Sequence, residues 1–471
     1  MKASFNLSAS LIVSAIAAIP GVVLAGPGMD ALSAMTPETE AAAAASPSAV
    51  MPYVAPANVF VPESSKGMAH EAGKKAHTNY VVKNVKGVMA HSMTDLAMPD
   101  PEDNPAPNAT FAEYPASLSC LYKMGATYSG CAPVNNSAYN AKGGKGAIAI
   151  VDAFDNPNAL TDLKFFSSFF GLPAPKFVKV YANGNGHCGV PPYDAGWALE
   201  SALDIQWAHA MAPAATIILV EACSNSYDDL MYAEQVAAQQ LLAYGGGQVS
   251  NSWGSGEFST ESSDWDWVFR ANWVAGKPIS YFFSAGDAGL GAGYPSSSPW
   301  VVSAGGTTIN RDPATQAFQS ESCWAGSGGG TSLYETYSST FGTGTGPWTN
   351  FQYPLFGQSA RRTPDISFDA DPASGAYVRL NGSWYIVGGT SLSAPALAGI
   401  VNNSGNKLGV APSGGGFYTN AENNLLYAGL LTAKDWGVNF YDVTTGSNGA
   451  AAAVGWDYCT GVGSPRGKVG K

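Results

Sequence analysis

A serine with the surroundings of a nucleophile lies in the segment GGTSLSAPALAG, residues 388–399. The pattern Gly-Thr-Ser-x-x-x-Pro places Ser391 in a glycine loop that leads into a helix of small residues. A serine hydroxyl is a weak nucleophile and needs a base beside it. Five histidines occur in the chain, but none is followed by glycine, the setting expected of a histidine base for such a serine. The first question is therefore which group activates Ser391.

Two carboxylates on one predicted helix are the best candidates for that base. The segment YDAGWALESALDIQWAHAMAP predicts a helix that Asp194 caps and that Pro213 ends. At 100° per residue, Glu200 and Asp204 lie about 40° apart, on the same face as Trp197. Burial and like charge both raise the pKa of a carboxylic acid. The pair is therefore predicted to share a proton and to act as a base at acidic pH.

Other interpretations of these residues exist. A pair of acids on a helix more often marks a solvated face, but here Gln206 stands on the opposite side and no cation is near in sequence. His209 lies about 180° from Glu200 on the helical wheel, which favours a structural histidine. His187 falls in a loop that could approach the site. The remaining histidines lie in the leader: His70, His77 and His91.

The first residues predict export. MKASFNLSASLIVSAIAAIPGVVLAG has one Lys2, a short apolar run and small residues around Ala25, as in a signal peptide cleaved after residue 25. No later segment is apolar for long enough to span a membrane.

The net charge is −12 and only 12% of residues are charged, so nucleic acid and anionic membranes are poor partners. We expect a secreted monomer.

The rest of the chain divides into two parts. Residues 26–113 are rich in Ala, Pro, Met and Ser and predict a poorly structured pro-segment. Residues 114–471 alternate short apolar runs with helical patterns, which predicts an α/β domain whose parallel sheet carries helices on both faces. Polar residues follow three of the predicted strands, at Asp152, Asn251-Ser252 and Asp287. Such sheets place their sites at these strand ends.

Six cysteines in an exported chain favour disulfides. Pairing of nearest neighbours would join Cys120 to Cys131, Cys188 to Cys223, and Cys323 to Cys459, although six cysteines allow fifteen connectivities.

Three segments in order, ESALD, SAGDAG and GGTSLSAP, give the chain a resemblance to the sedolisin family, the serine-carboxyl peptidases with a subtilisin-like fold. The likeness covers about residues 114–465. It implies that Ser391 is the nucleophile, Glu200 the general base and Asp204 its partner. It further implies that Asp287 lies in the oxyanion hole, where only a protonated acid can donate a hydrogen bond. By the same likeness Asp152 reaches the catalytic helix or the indole of Trp253.

The resemblance implies two further features. The segment VSNSWGSGE, residues 249–257, would bind an extended peptide through backbone pairing. The C-terminal segment YDVTTGSNGAAAAVGWDYC resembles the family's loop for one structural calcium ion. Its ligands would be two carboxylates and three carbonyls: Asp442, Val443, Ala453, Gly455 and Asp457.

These features predict a secreted, acid-acting serine-carboxyl endopeptidase that cleaves proteins or peptides through an acyl-enzyme on Ser391. A tripeptidyl exopeptidase of the same family is one alternative. A non-catalytic secreted binding protein on a peptidase scaffold is another. A pepsin-like aspartic peptidase is a third, because Asp-Ala-Gly occurs at Asp194 and Asp287, but such chains are nearly all β.

Overall fold

A computed structural model gives the fold of the chain. It describes residues 53–468, apart from residues 87–89, 91, 99–111, 185–187, 272–276, 337–351, 358–359, 406–409, 415–416 and 432. The predicted signal peptide lies outside the described residues, as do the proline-rich residues 99–107 and two of the histidines, His91 and His187.

The described strands are numbered in chain order. They are β1 Val59–Phe60, β2 His77–Thr78, β3 Val81–Lys83, β4 Ala147–Ala153, β5 Lys176–Ala182, β6 Thr216–Ala222, β7 Gly247–Asn251, β8 Trp253–Gly256, β9 Ile279–Ser284, β10 Gly293–Tyr294, β11 Val302–Arg311, β12 Phe318–Cys323, β13 Gly330–Thr336, β14 Ala360–Thr363, β15 Ile366–Asp369, β16 Ala376–Leu380, β17 Ser383–Gly388, β18 Val410–Gly414, β19 Phe417–Asn420, β20 Phe440–Tyr441 and β21 Ser464–Pro465.

The described α-helices are numbered in the same way. They are α1 Met93–Leu96, α2 Pro115–Leu121, α3 Ala159–Phe169, α4 Ala195–Met211, α5 Tyr227–Leu242, α6 Glu261–Asp264, α7 Asp266–Ala271, α8 Tyr353–Phe356, α9 Thr390–Ser404, α10 Ala421–Leu431 and α11 Ala433–Asn439.

A largely parallel sheet forms the centre of the fold. Its strand order is β12-β11-β9-β7-β4-β6-β5, with β15 also paired to β11. All of these pairings are parallel except that of β12 with β11. Parallel strands need crossover connections, which here are supplied by helices such as α4 and α5. The predicted α/β architecture is therefore confirmed, and the nearly all-β alternative is wrong.

The residues of β4 show why both faces of this sheet are covered. Ile148 and Ile150 belong to the apolar cluster that contains Leu203 of α4. Their neighbours Ala149 and Val151 belong to the cluster on the other face, with α5. Successive side chains of a strand point to opposite faces, so a strand buried on both sides reads as a continuous apolar run.

The helices α4 and α9 pack closely against each other on one face. A Cβ placed on Gly399 of α9 would lie 2.7 Å from the Cβ of Met211 and 3.0 Å from the carbonyl oxygen of Ala208. Only glycine permits so close an approach at this position. The contact brings the beginning of α9, with Ser391, to the middle of α4.

The leader differs from its prediction. The sequence predicted a poorly structured segment over residues 26–113, but its described part contains β1, β2 and β3. β3 pairs antiparallel with β17, and β2 pairs antiparallel with β8. The composition of the leader predicted no structure because its strands do not form a core of their own. They pair instead with the edges of strands that belong to the rest of the fold.

The three disulfides predicted from nearest neighbours are confirmed. Their Cα–Cα distances are 5.5 Å for Cys120–Cys131, 5.8 Å for Cys188–Cys223 and 5.9 Å for Cys323–Cys459, which is usual for the bond. Among the described residues, no helix is long and apolar enough to cross a membrane.

Candidate active site

The helix α4 carries the two predicted carboxylates. Asp194 caps it as expected, since one carboxylate oxygen accepts hydrogen bonds from the backbone N–H groups of Gly196 (2.9 Å) and Trp197 (3.0 Å). Glu200 and Asp204 are both fully buried. The opposite side of the helix is buried as well, because Gln206 forms hydrogen bonds with the backbone of Arg379 in β16. The helix therefore crosses the interior, and neither acid faces solvent.

Ser391 meets Glu200 directly. The serine hydroxyl donates a 2.9 Å hydrogen bond to Oε2 of Glu200. This is the geometry that a general base needs in order to take the proton of a nucleophile. Ser391 is the second residue of α9, which follows the end of β17 and Gly389. The structure thus brings together the predicted nucleophile and the predicted base.

Asp152 joins Glu200 and Asp204 to form a buried acid cluster. Burial, followed by the negative charges of Asp204 and Asp152, raises the pKa of Glu200 well above its usual value. Burial and the charge of Asp152 do the same for the pKa of Asp204. Burial raises the pKa of Asp152 to about 8. The cluster therefore keeps protons at pH values where exposed carboxyls have lost them.

Several oxygens of this acid cluster have no hydrogen-bond donor among the residues that the structure describes. They are Oε1 of Glu200, Oδ2 of Asp204 and both carboxyl oxygens of Asp152. Buried polar atoms normally have partners. Protons shared between neighbouring carboxyls would satisfy these oxygens, which agrees with the raised pKa values.

Asp287 lies beside the serine, in the loop after β9. Its Oδ1 accepts hydrogen bonds from the backbone N–H (2.8 Å) and the hydroxyl (2.9 Å) of Thr390. Its Oδ2 is buried and has no hydrogen-bond partner in the described part of the chain. Burial raises the pKa of Asp287 to about 8, against the effect of the Thr390 hydrogen bonds. Below that pH the carboxyl is neutral and can donate a proton from Oδ2.

Ser252 is a site residue to which the sequence assigned no chemistry. Its hydroxyl donates a 2.8 Å hydrogen bond to Oδ1 of Asp204, and its carbonyl oxygen accepts one from the Ser391 hydroxyl at 3.3 Å. The sequence feature that could have identified Ser252 is its position directly after β7, at the carboxyl end of a strand of the parallel sheet. Of the two places expected for Asp152, it reaches the catalytic helix, where its charge acts on Glu200 and Asp204. The indole N–H of Trp253 donates instead to the carbonyl oxygen of Val151 at 2.9 Å.

The described histidines do not serve as the base. His209 is buried, and its Nε2 lies 3.0 Å from the carbonyl oxygen of Pro173, while burial lowers its pKa to about 4. This agrees with the predicted structural role. His77 lies in β2 beside the site, but the partner of its Nδ1 is the carbonyl oxygen of Thr78. The hydroxyl of Ser391 bonds to Glu200 instead.

Residues 76–83 of the leader, which we call the cleft segment, run through this site. On one side His77 and Thr78 pair antiparallel with Gly254 and Trp253. On the other side Val81 and Val82 pair antiparallel with β17, next to Gly388 and Val387. Between them lies Asn79, whose carbonyl oxygen accepts a 3.0 Å hydrogen bond from the backbone N–H of Ser391.

The residues predicted to bind calcium converge on one loop. Oδ1 of Asp442 accepts a hydrogen bond from the N–H of Gly455, and Oδ2 of Asp457 accepts one from the N–H of Ala453, both at 3.2 Å. Val443 is fully buried nearby in sequence. Burial raises the pKa of Asp442 to about 6 and that of Asp457 to about 7, and neither forms an ion pair with a described residue.

The donor set of this loop suits calcium, which prefers carboxylate and carbonyl oxygens. Among the described residues no group of three or more His, Cys, Asp or Glu side chains is arranged to hold a metal. Calcium would therefore need backbone carbonyl oxygens in addition to the two carboxylates.

No family model matches the sequence, but the chain is similar to curated proteins and to solved structures. The chain is 31% identical over 346 residues to kumamolisin of Bacillus sp. (strain MN-32), a match that covers 68% of this chain and 58% of that protein. It is 27% identical over 337 residues to tripeptidyl-peptidase 1 of Dictyostelium discoideum, covering 65% and 50% respectively. The chain thus spans about half of the length of these relatives.

A solved structure is also similar. Pseudomonas sedolisin, a serine-carboxyl proteinase in complex with two molecules of pseudo-iodotyrostatin, superposes with a TM-score of 0.59 at 23% identity. The superposition covers 76% of this chain and 96% of that one. This likeness shows the fold, which is a subtilisin-like α/β sheet.

Proposed function

Because this chain belongs to the sedolisin family of serine-carboxyl peptidases, we propose that it is a secreted endopeptidase that acts at acidic pH through an acyl-enzyme on Ser391. The observation that carries the proposal is the 2.9 Å hydrogen bond from the Ser391 hydroxyl to Glu200. In the chemistry that we propose, Glu200 takes the hydroxyl proton as Ser391 attacks a peptide carbonyl carbon. Glu200 then returns this proton to the departing amine, and water hydrolyses the ester.

The charge that develops on the carbonyl oxygen needs donors. The backbone N–H of Ser391 is one, and a protonated Asp287 would be the second. An ionised Asp287 would repel the oxyanion, so its raised pKa supports work in acid. Asp204 and Asp152 would hold Glu200 in place and share its protons. Ser252 would orient Asp204 through their hydrogen bond.

The course of the cleft segment supports an endopeptidase over a tripeptidyl exopeptidase. The backbone continues before Asn79 past Ala76, whose N–H donates to the carbonyl oxygen of Asn225 at 2.9 Å. It continues after Asn79 along β17. A cleft that binds backbone on both sides of the serine does not require the amino terminus of a substrate to lie close to the cleaved bond.

A structural calcium ion is part of the proposal. Asp442 and Asp457 would hold it, together with the carbonyl oxygens of Val443, Ala453 and Gly455. The ion would tie the C-terminal loop together and neutralise the two buried carboxylates.

Hydrolysis of denatured casein from pH 2 to 8, with pepstatin present, tests the function. We expect wild-type hydrolysis in acid and none with Ser391→Ala. The matched control is Ser393→Ala, because Ser393 lies buried in the same helix and its hydroxyl donates to the carbonyl oxygen of Phe368. Activity that survives in Ser391→Ala, or that pepstatin inhibits, would refute the proposal. Fragments longer than three residues from a substrate with a blocked amino terminus would distinguish the endopeptidase from the exopeptidase.

A further inference from the structure

We propose that four carboxyls beyond the end of β8 position this peptide-binding strand only while they share protons. We call them the second acid cluster: Glu257, Glu261, Asp266 and Glu335. The inference rests on the proposed function, because it assigns β8 to the binding of a substrate backbone. It deepens that function by naming the groups that would make the affinity for substrate depend on pH.

The second acid cluster gathers side chains from several elements. Glu257 directly follows β8, Glu261 and Asp266 are the first residues of α6 and α7, and Glu335 belongs to β13. Glu261 and Glu335 are fully buried and Asp266 is 2% exposed, whereas Glu257 is partly buried. Buried carboxyls keep their protons more readily than exposed ones.

Glu335 is buried in this cluster without a hydrogen-bond partner for either carboxyl oxygen among the described residues. Burial, followed by the negative charges of the other three members, raises the pKa of Glu335 well above its usual value. The nearby hydroxyl of Ser262, which opposes this rise, donates to Asp266 at 3.4 Å. Buried polar atoms normally have partners. A proton shared with a neighbouring carboxyl would satisfy Glu335.

The other members also favour the protonated form. Burial, followed by the charge of Glu257, raises the pKa of Glu261 to about 10, and burial raises that of Asp266 to about 7. Burial raises the pKa of Glu257 as well, against hydrogen bonds from the Ser332 hydroxyl and from the N–H of Leu333 at 3.0 Å. At acidic pH the cluster is therefore largely neutral.

Little positive charge offsets the second acid cluster among the described residues. Arg270 of α7 lowers the pKa of Asp266. The arginines of β14, which pairs with β13, are engaged elsewhere: Arg361 forms an ion pair with Asp365, and Arg362 lies over aromatic rings. The strand β18, which packs against α7, contains no ionisable residue. Ionisation of several members would therefore place like charges together in a buried site.

Two phenols face the cluster and connect it to β8. The hydroxyl of Tyr294, in β10, donates to Oδ1 of Asp266 at 3.2 Å, and the carbonyl oxygen of Tyr294 accepts a 2.9 Å hydrogen bond from the hydroxyl of Tyr227. The Tyr227 hydroxyl also lies 2.8 Å from that of Ser255 in β8. Burial raises the pKa of both phenols, so the carboxyls are the groups that titrate near neutral pH.

The same carboxyls hold the wall of the substrate cleft. β8 and β10 pair antiparallel, and both line a cavity of about 250 Å³ next to Asp287. The loop after β10 is attached to the cluster, because Ser297 donates to Glu261 at 3.3 Å and Ser298 donates to Asp266 at 2.7 Å. Repulsion between ionised members would favour an opening of α6 and β13 away from β8. The strand would then bind a substrate backbone less tightly.

Hydrogen exchange of the full chain with Ser391→Ala tests the inference without any need for activity. Protection factors, corrected for the pH dependence of chemical exchange, are measured for β8, β10 and β13 from pH 4 to 8. An opening that releases one proton becomes about tenfold more favourable per pH unit. We therefore expect these factors to fall about tenfold per unit between pH 5 and 7. Constant factors over this range would overturn the inference.

Two matched variants assign the fall to the cluster. Glu335→Gln keeps the shape of the side chain and cannot ionise, so it should make the fall between pH 5 and 7 about tenfold smaller. Glu234→Gln is the control, because burial also raises the pKa of Glu234 and this residue of α5 is not a member of the cluster. Equal effects of the two variants would show that exchange follows global unfolding, which contradicts the inference.

A second variant covers the case in which Glu335→Gln does not fold. Asp266→Asn removes a charge from the cluster but keeps the oxygen that accepts hydrogen bonds from Ser298 and Tyr294. It should also make the fall in protection smaller. A fall as steep as in the parent would count against the cluster.

Peptide hydrolysis by the chain with Ser391 intact separates this inference from the proposed function. The KM should rise between pH 5 and 7, and it should rise less in Glu335→Gln. The kcat profile should be the same in both, because the cluster positions the strand and does not touch the reacting atoms. A lower kcat with an unchanged pH dependence of KM would overturn the inference. A chain that hydrolyses no peptide but shows the expected exchange overturns the proposed function and leaves the proton-dependent support of β8 standing.

Discussion

Ser391 and Glu200 lie 191 residues apart in sequence, and the serine hydroxyl donates a 2.9 Å hydrogen bond to the glutamate Oε2. A carboxylate thus occupies the position beside the nucleophile where a base must lie. The acid beside it, Asp204, is a residue of the same helix.

Glu200→Gln removes the base and keeps the shape of the side chain. We expect kcat/KM for a peptide substrate at pH 4 to fall by about 10²–10⁴-fold, the range that general base catalysis supplies. The matched control is Glu234→Gln, since Glu234 is a fully buried glutamate of α5 outside the site, and its carboxyl has no hydrogen-bond partner among the described residues. Equal losses in the two variants would show that the effect is structural and would remove Glu200 from its role.

Asp287→Asn replaces a donor that depends on pH with one that does not. The pKa of Asp287 is about 8, so wild-type kcat/KM should fall as the pH rises through that value and the carboxyl ionises. An asparagine amide donates at every pH. We therefore expect Asp287→Asn to lose this fall, and Asp287→Leu to lose about 10²–10³-fold in kcat at pH 4. Near-ultraviolet circular dichroism should accompany the rates to confirm that the protein is folded. Identical alkaline limbs in wild type and Asp287→Asn would contradict the assignment.

Ser252→Ala removes the hydrogen bond to Asp204, which lowers the pKa of that carboxyl. Its loss should raise the pKa of Asp204 further and move the acidic limb of the kcat profile to higher pH. The KM should change little, because the carbonyl oxygen of Ser252 still pairs with the peptide. Ser250→Ala is the control, since the Ser250 hydroxyl is buried in β7 and no described residue forms a hydrogen bond with it. A uniform loss of rate with no shift of the profile would argue against this positioning role.

The stability of the fold should be greatest in acid. Asp152 and Asp287 have pKa values raised to about 8, compared with about 4 in an unfolded chain. Between pH 4 and 8 the folded state therefore holds protons that the unfolded state has released. The free energy of unfolding should then fall as the pH rises, by about 1.4 kcal/mol per pH unit for each such proton.

Urea unfolding of Ser391→Ala at several pH values measures this slope without self-digestion. The added change Glu234→Gln should make the slope shallower, because burial also raises the pKa of Glu234 well above its usual value. A free energy of unfolding that rises from pH 4 to 8 would show that the buried carboxyls do not govern the stability.

Removal of calcium should destabilise the C-terminal loop. In Ser391→Ala at pH 6, we expect EGTA to lower the Tm by several degrees, since an ion at 100 times its Kd adds about 2.7 kcal/mol to the stability. The double variant Asp442→Asn, Asp457→Asn should show no response to calcium. Asp228→Asn, a change at an exposed acid, should respond as the parent does. A parent whose Tm is the same with calcium and with EGTA has no calcium site at this loop.

Local patterns in the sequence determined much of this protein. The cap at Asp194 and the shared face of Glu200 and Asp204 follow from helical periodicity, which depends only on neighbours along the chain. Short continuous apolar runs, such as that of β4, predicted the buried parallel strands. The disulfide between Cys120 and Cys131 follows from the short loop that it closes. The order of motifs then indicated a family and four site residues.

Only the tertiary structure decided how distant segments meet. The bond from Ser391 to Glu200 depends on the packing of α9 against α4, which no spacing in the sequence encodes. The hydrogen bond from Ser252 to Asp204 depends on the adjacent positions of β7 and that helix. The cleft segment looked structureless because it has no core of its own, yet its backbone groups are satisfied by strands far away in sequence. Such pairing depends on the partner strands, which lie far away in sequence. The composition of the segment alone therefore could not reveal that Asn79 contacts Ser391.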